Sequence, residues 1–445
     1  MYNFWGGLCS FFTKHIIFYS AIPKSVKIPQ MKKITVTLFN VCILLLGIQN
    51  ANAASYDTLP KNVNTMVFKQ VMTSKIQSKY NSTNEESSLN LKEEFTSSRL
   101  EDVSSVIKSY FQELRAISPD AYSNFSLGEF SADIQADVTA QGIGYGFGIT
   151  DRLTIYGSMP IYHIKTDIKF KQTKASSLAA IQSSVRNSSP DTSIGKFVKD
   201  LTLQLPNTNA ELLQSLVVNY YGYKPIGKWE KDGLGDSEIG LIYRLTDFGD
   251  RGVSISLGAV LPTGTSDDPD SLQDVSTGDG QYDAFTEMAA GISFFENTFQ
   301  LDLKGRYTYQ FSSQKEVRWI SDADLPLSSQ KKNVNQKLGN KIDANLTLTY
   351  YPLYWMNFNT SLLASNTGHT TYADVSDLKV RSALEADTDS ESRWIRAGVG
   401  FSTVEAYKRK QFDMPMDIGF TAQKLLNAKN TASYDRFDID FKLYF

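Results

Sequence analysis

Acid–base chemistry at neutral pH calls for a group that titrates there, and histidine is the side chain suited to it. The chain has three histidines, of which only His163 and His369 follow residue 53. A barrel-type hydrolase needs a histidine paired with a serine or a carboxylate. Neither histidine lies in a nucleophile motif, so both read as satisfied or solvated side chains. No Gly-rich phosphate loop and no Cys/His cluster with metal spacing is present. Asp267, Asp268, Asp270, Asp274, Asp279 and Asp283 crowd into 266–283 without the glycine and distal glutamate of an EF-hand. That stretch reads as a solvated acidic loop rather than a calcium site. Neither an enzymatic activity nor a cofactor is expected.

Charge on alternate residues remains. Along 299–311, Phe299, Leu301, Leu303, Gly305, Tyr307, Tyr309 and Phe311 share one face, and Gln300, Asp302, Lys304, Arg306, Thr308 and Gln310 the other. Such alternation marks a strand with one apolar and one wet face. It recurs over 341–350, 412–420 and 437–445. In that register Asp302, Lys304 and Arg306 neighbour Asp343 and Asn345, and Glu238, Arg244, Arg396, Asp413, Asp417, Asp438 and Asp440 share the wet side. Rings of charged side chains set selectivity in pores. The alternative is that these charges pair across strands and fill a narrow lumen.

The elements that must hold those faces number twelve: 62–79, 130–149, 152–165, 236–246, 252–263, 284–295, 298–311, 338–350, 354–365, 393–404, 411–422 and 434–445. Connectors alternate between tight turns and long loops rich in Ser, Asn, Asp and Lys. This is the layout of a transmembrane antiparallel β-barrel, all-β, with short periplasmic turns and long, partly helical extracellular loops. In lipid an unpaired N–H or C=O costs several kcal/mol, so the strands must close on themselves. The rival fold is a soluble β-sandwich, whose strands also alternate. Around 132–140 the apolar residues are even-numbered, and from Ile143 to Ile149 they are odd; a bulge at Gly142 would account for the switch. Ser98 with Glu101, and Thr208 with Glu211, fit capping boxes ahead of helices in two long loops, where the helices would cover the barrel mouth or dip into it.

The chain is 445 residues long, 41% hydrophobic and 12% aromatic. That excludes disorder. No run of 18 apolar residues follows residue 53, which excludes a helical span. Met31-Lys32-Lys33, the apolar run Val36–Ile48 and Ala51-Asn52-Ala53 have the form of a signal peptide over 31–53, behind an upstream extension 1–30. Residues 54–445 would then be the barrel domain. Both cysteines and five of the 45 basic residues lie before Ala54, while all 48 acidic residues lie after it. The remainder is a cysteine-free chain of formal charge −8, pointing to the bacterial outer membrane and away from nucleic acid. Its expected partners are outer-membrane lipid, lipopolysaccharide and a small-molecule solute. The final strand, Tyr434 to Phe445, ends on an aromatic and is similar to the signal read by the barrel-assembly machinery.

Three passages carry a family resemblance. Tyr145-Gly-Phe-Gly-Ile-Thr-Asp-Arg-Leu153 with Met159-Pro160 resembles a "YGLTDRL…LP" run. Gly233-Leu-Gly-Asp-Ser-Glu-Ile-Gly-Leu-Ile-Tyr-Arg-Leu245 resembles "GLGD…LGLKYRL", and Leu261-Pro-Thr-Gly264 matches "LPTG". These belong to the outer-membrane transporters linked to the meta-pathway of phenol degradation. The likeness covers roughly 142–311, and the insert at 166–232 departs from it. It implies a channel for passive passage of small molecules, with apolar or aromatic compounds as the class. The alternative is a non-conducting surface barrel whose loops, 80–129 and 166–235, bind a partner or stabilise the envelope.

Overall fold

The computed structural model describes residues 54–445 except 102–104, 322 and 324–326. The expected signal peptide and upstream extension lie outside the described residues. The chain divides into two compact units.

The larger unit is a closed antiparallel barrel. Its strands are β1 Asn64–Thr73, β2 Ser126–Thr150 and β3 Leu153–Lys174 (of which 132–150 and 153–170 belong to this unit), β4 Ser237–Asp247, β5 Arg251–Leu261 and β6 Asp283–Phe294. The second half comprises β7 Phe299–Gln310, β8 Lys341–Leu353, β9 Met356–Thr367, β10 Ser390–Ser402, β11 Met416–Lys429 and β12 Arg436–Tyr444. Each pairs with its sequence neighbour, and β12 pairs back onto β1 from Thr65↔Tyr444 to Thr73↔Arg436. The ring therefore has no free edge, which a sandwich would leave. All twelve expected strands are present. Lys228–Leu234 extends the line of β4, pairing with β3 where β4 leaves off.

The faces are inverted relative to a soluble protein. Met288, Leu303, Ile342 and Leu362 are each more than half exposed, while Ser256, Asp302, Thr347, Ser361, Gln423 and Lys442 are buried. Apolar side chains thus face outward and polar ones face the lumen. Phe294, Phe299, Tyr350, Tyr354 and Trp355 ring the short-turn end, and Tyr307, Tyr309, Phe311 and Tyr282 stand toward the long-loop end. From Phe299 to Tyr309 is ten residue steps, about 33 Å along a strand and about 23 Å in height at a 45° tilt. That spacing fits an outer-membrane apolar band. Among the described residues no helix is long and apolar enough to cross a membrane.

The bulge expected at Gly142 is absent. β1 and β2 pair without a slip from Asn64↔Phe147 to Met72↔Thr139, and even-numbered residues of β2 from Ala136 to Gly148 are buried throughout. The apolar residues change parity because the lumen changes character along its length. Ala136, Val138 and Ala140 join an apolar cluster inside the barrel. Beyond them Gly142, Gly144, Gly146 and Gly148 face inward, while Ile143, Tyr145 and Ile149 face out. A register shift does occur between β10 and β11, where Arg393 pairs with Asn427 and Trp394 with Leu425. The extra residue, Leu426, lets Leu425 and Ala428 both point inward.

The second unit comprises described residues of 92–131 and 171–213. Helices Ser105–Ile117, Leu178–Arg186 and Ser193–Gln204 pack Phe111, Leu114, Ile181, Val185 and Val198 into a core, with Phe125 edge-on to Phe111 at 4.9 Å. The Thr192 hydroxyl caps the last of these helices by accepting from Gly195 N at 2.9 Å. The helix expected near Thr208 runs Ala210–Asn219. Its cap is Asn209, whose Oδ1 accepts from Leu212 N at 2.8 Å, in place of the expected Thr208 box.

Candidate functional site

Inward-facing charges on adjacent strands meet at the register positions the alternation sets. Lys69 lies 3.2 Å from Asp438 and 3.0 Å from Asp440. Arg436 grips Asp438 with two bonds, Nε to Oδ1 at 2.6 Å and Nη2 to Oδ2 at 2.9 Å. Lys304 pairs with Glu287 at 2.9 Å, and Arg306 with Glu238 at 2.8 Å. The Tyr156 hydroxyl donates to the other oxygen of Glu238 at 2.8 Å, and the Arg306 guanidinium lies 3.7 Å over the Phe285 ring. These pairs make up a charged belt of mixed sign on part of the inner wall, on β1 and β12 and on β4, β6 and β7. Charges in such surroundings are tolerable only when paired and hydrogen-bonded.

Against this belt the lumen holds a cavity of about 140 Å³, lined among others by Asp302, Lys304, Arg396, Asp417, Lys69, Glu287, Asp440, Lys442, Asn357 and Thr347. Of the site residues named from sequence, Asp302, Lys304, Arg396 and Asp417 meet here. Asp302 accepts from Ser55 N at 2.8 Å and from Gln300 at 2.6 Å. Asp417 accepts from the Tyr444 hydroxyl at 2.6 Å and stands across from Lys442. Arg396 gives Nε and Nη2 to the amide oxygen of Gln423, at 3.1 and 2.8 Å. Asp343 and Asn345 sit beside Arg306 and Lys304 as the register predicts, although Lys304 pairs with Glu287 on the opposite neighbour. Asp343 lies 3.8 Å from Lys341, and Asn345 accepts from Thr347 at 3.2 Å. Arg244 stands at the short-turn end, 3.0 Å from Asp247 and 3.8 Å from Asp57.

Asp413 is placed differently. β11 starts at Met416, and Asp413 is exposed in the preceding turn, where the period-two pattern continues after pairing has ended. Lys69, Glu287, Arg436 and Lys442 escaped the reading from sequence. β1 carries apolar residues at both parities (Met66, Val67, Phe68, Val71, Met72), so its alternation hides Lys69. Glu287, Arg436 and Lys442 do share the inward parity of their strands, and that signal could have found them.

The short-turn end of the lumen is occupied by residues 54–63. Leu59 N donates to Thr154 Oγ1 at 2.8 Å, Lys61 N to Asp151 at 2.9 Å, and Asn62 N to the Gly148 carbonyl at 2.8 Å. Wall glycines make the room. A Cβ on Gly148 would lie 2.0 Å from the Pro60 carbonyl oxygen, and one on Gly252 2.4 Å from the Tyr56 ring. Burial first, then the carboxylates of Asp57 and Asp247, push the Tyr56 hydroxyl up to about 12.

Toward the long loops the lumen is filled by apolar side chains. Val71, Val138, Tyr162, Ile164, Trp394 and Leu425 come from the wall, and Ile76, Leu89 and Val275 from loops. Residues 262–282 are held over this stopper by Asp236, which accepts from Gly264 N at 2.9 Å and Asp279 N at 3.0 Å. Lys231 meets Asp274 at 3.2 Å, and Arg318 meets Asp270 at 2.5 Å while also donating to the carbonyls of Pro269, Tyr221 and Gly222. The loop expected to be solvated is thus a packed, ion-paired one, with Asp274 and Asp283 buried. Burial, then the nearby Asp283 carboxylate, raise Asp279 to about 7. Among the described residues no group of three acids, histidines or cysteines could hold a metal. His163 contacts Asp232 on the exposed face, and His369 Nδ1 lies 3.1 Å from the Thr388 hydroxyl.

No protein-family model and no curated protein matches this chain. Among solved structures, an outer membrane channel from Pseudomonas putida F1 is similar at 11% identity over 88% of this chain and 98% of its own, with a TM-score of 0.48. The P. putida toluene transporter TodX is 11% identical over 88% and 91%, with a TM-score of 0.31. A Pseudomonas aeruginosa FadL homologue is 7% identical over 88% and 92%, with a TM-score of 0.32.

Proposed function

We propose that this chain is a gated outer-membrane channel through which small molecules pass down their gradient without covalent chemistry. The observation that carries the reading is the inverted barrel: twelve strands closed without an edge, apolar outside, with a charged and partly empty lumen. A closed ring with an apolar outer band is what a bilayer requires of strands that cross it. Short turns, the start of β1 and the end of β12 would face the periplasm, with long loops and lipopolysaccharide outside. The β12 strand through Phe445 would be the segment handed to the assembly machinery. Asp302, Lys304, Arg306, Glu238, Asp343, Asn345, Arg396 and Asp417 would set the lumenal field. Two pieces that are not wall strands, residues 54–63 and loop 262–282, close its ends and are the natural gates.

The packed stopper around Trp394 favours a second reading, a non-conducting surface barrel. Planar-bilayer recordings of the protein lacking residues 54–62 and 266–279 separate the two. Steps in conductance that exceed those of the intact chain are expected. A silent trimmed barrel that is still folded would leave only the second reading.

A further inference from the structure

Most charges facing the cavity touch or stand opposite a charge of the other sign, whereas Arg396 has Asp438 and Asp440 only at a distance and the like charge of Arg436 beside them. Lys69 serves Asp438 and Asp440, Arg436 serves Asp438, Lys304 serves Glu287, and Lys442 stands opposite Asp417. Asp302, the lining acid without a cation, is satisfied by Ser55 N and Gln300. Arg396 meets only a neutral acceptor, the Gln423 amide oxygen, through Nε and Nη2. No carboxylate lies within ion-pair distance of it among the described residues, and its Nη1 has no partner while the side chain lines the cavity. Removing a guanidinium from water without a counter-ion is costly. With Nε and Nη2 turned to Gln423, the Nη1 end of the guanidinium remains to meet an anion. Its planar fork suits the two oxygens of a carboxylate as it does those of a phosphate. A compact monocarboxylate brings the smaller charge into a lumen already lined by Asp302, Asp417 and Asp440.

The register supplies neutral company for such a ligand. Arg396 pairs with Ser361, which pairs with Thr347, and the Thr347 and Ser361 hydroxyls are hydrogen-bonded at 2.9 Å. Asn357 and Asn359, inward on β9, also line the cavity. The row offers donors that do not already carry a negative partner. The space, about 140 Å³, suits a molecule of a few carbons.

We propose that the lumen contains a binding site for a small organic monocarboxylate, with Arg396 as the residue that holds the carboxylate. The inference deepens the channel reading by naming a solute class, and the two fail separately because binding can be measured without conductance. Isothermal titration calorimetry of the purified chain in detergent, in chloride-free buffer, would use butyrate as probe and butyramide as its uncharged counterpart. One butyrate per chain should bind, and butyramide should give no heat. Arg396→Gln should abolish binding. Arg396→Lys, which keeps the charge but loses the fork, should weaken it at least tenfold, with heat-modifiable gel migration reporting that each variant is folded. Should Arg396→Gln not fold, Arg396→Lys and the butyramide comparison decide. Equal affinity for butyrate and butyramide, undiminished binding by either variant, or no binding by the intact chain would overturn the proposal. Conductance retained in that last case would leave the channel reading standing.

Discussion

Asp279 and Asp236 meet at the base of loop 262–282, where the charge of Lys315 does not offset their burial, and that juxtaposition makes the loop sensitive to pH. Asp279 is raised from its ordinary value to about 7 by burial first and by Asp283 next. Asp236 is also raised, again chiefly by burial. A carboxyl group whose pKa is higher when folded binds more protons in the folded state, so the stability it confers is complete at acid pH. That stability is lost as pH rises from about 4 through 7. Asp279→Asn mimics the protonated acid. At pH 8 the variant should slow hydrogen exchange of 262–282 several-fold relative to the intact chain. At pH 5 the two should exchange alike, and an equal effect at both values would show that the carboxyl does not titrate in this range. The buried pair of Lys69 with Asp438 and Asp440 belongs to the same scale. Lys69→Ala leaves the lumenal acids with one cation fewer and should lower stability by about 3 kcal/mol, measured as a fall in the denaturant midpoint of folding into lipid.

At the scale of elements, the segment 54–63 rests on β2 through backbone bonds that need glycine opposite them. A methyl group on Gly148 would lie 2.0 Å from the Pro60 carbonyl oxygen, an approach that neither backbone can yield without moving. Gly148→Ala should therefore expel the segment while leaving the β1–β2 ladder intact. Faster protease cleavage near Lys61 and larger conductance steps are the expected results; unchanged cleavage would mean that the segment accommodates the methyl. β2 also shows where a sequence reading fails. A switch of parity was expected to mean a bulge, because a uniform interior forces apolar residues to one parity. The interior here is not uniform, and the strand passes from an apolar stopper to a glycine-lined vestibule without a slip. Strands such as β7, β8 and β12 were legible because their inward faces are polar along the whole length. β1 was legible as a strand but not as the carrier of Lys69. The acidic loop misled for a related reason: its aspartates read as solvated, and their cations, Lys231 and Arg318, are supplied by distant segments.

The whole molecule depends on its outer surface matching lipid. Leu303 lies midway between the aromatic girdles and is 56% exposed. Leu303→Arg should cost about 2–4 kcal/mol of folding free energy in a bilayer, while Asn345→Glu, which puts a charge on the lumenal face of the neighbouring strand beside Lys304, should cost less. The comparison is made by equilibrium unfolding from vesicles, and equal costs at the two positions would contradict the assigned faces. What the sequence alone determined is the wall: strand number, order, alternation of turns and loops, and which side of most strands is wet. Those follow from a side-chain period of two and from hydrogen bonding between sequence neighbours, both local properties of the chain. What only the tertiary structure decided is the state of the lumen. Which charges are neutralised, where the apolar stopper begins, and that residues 54–63 enter the barrel all depend on groups meeting across the ring. Their separations in the chain reach Lys69 to Asp438, and no local pattern encodes a contact of that span.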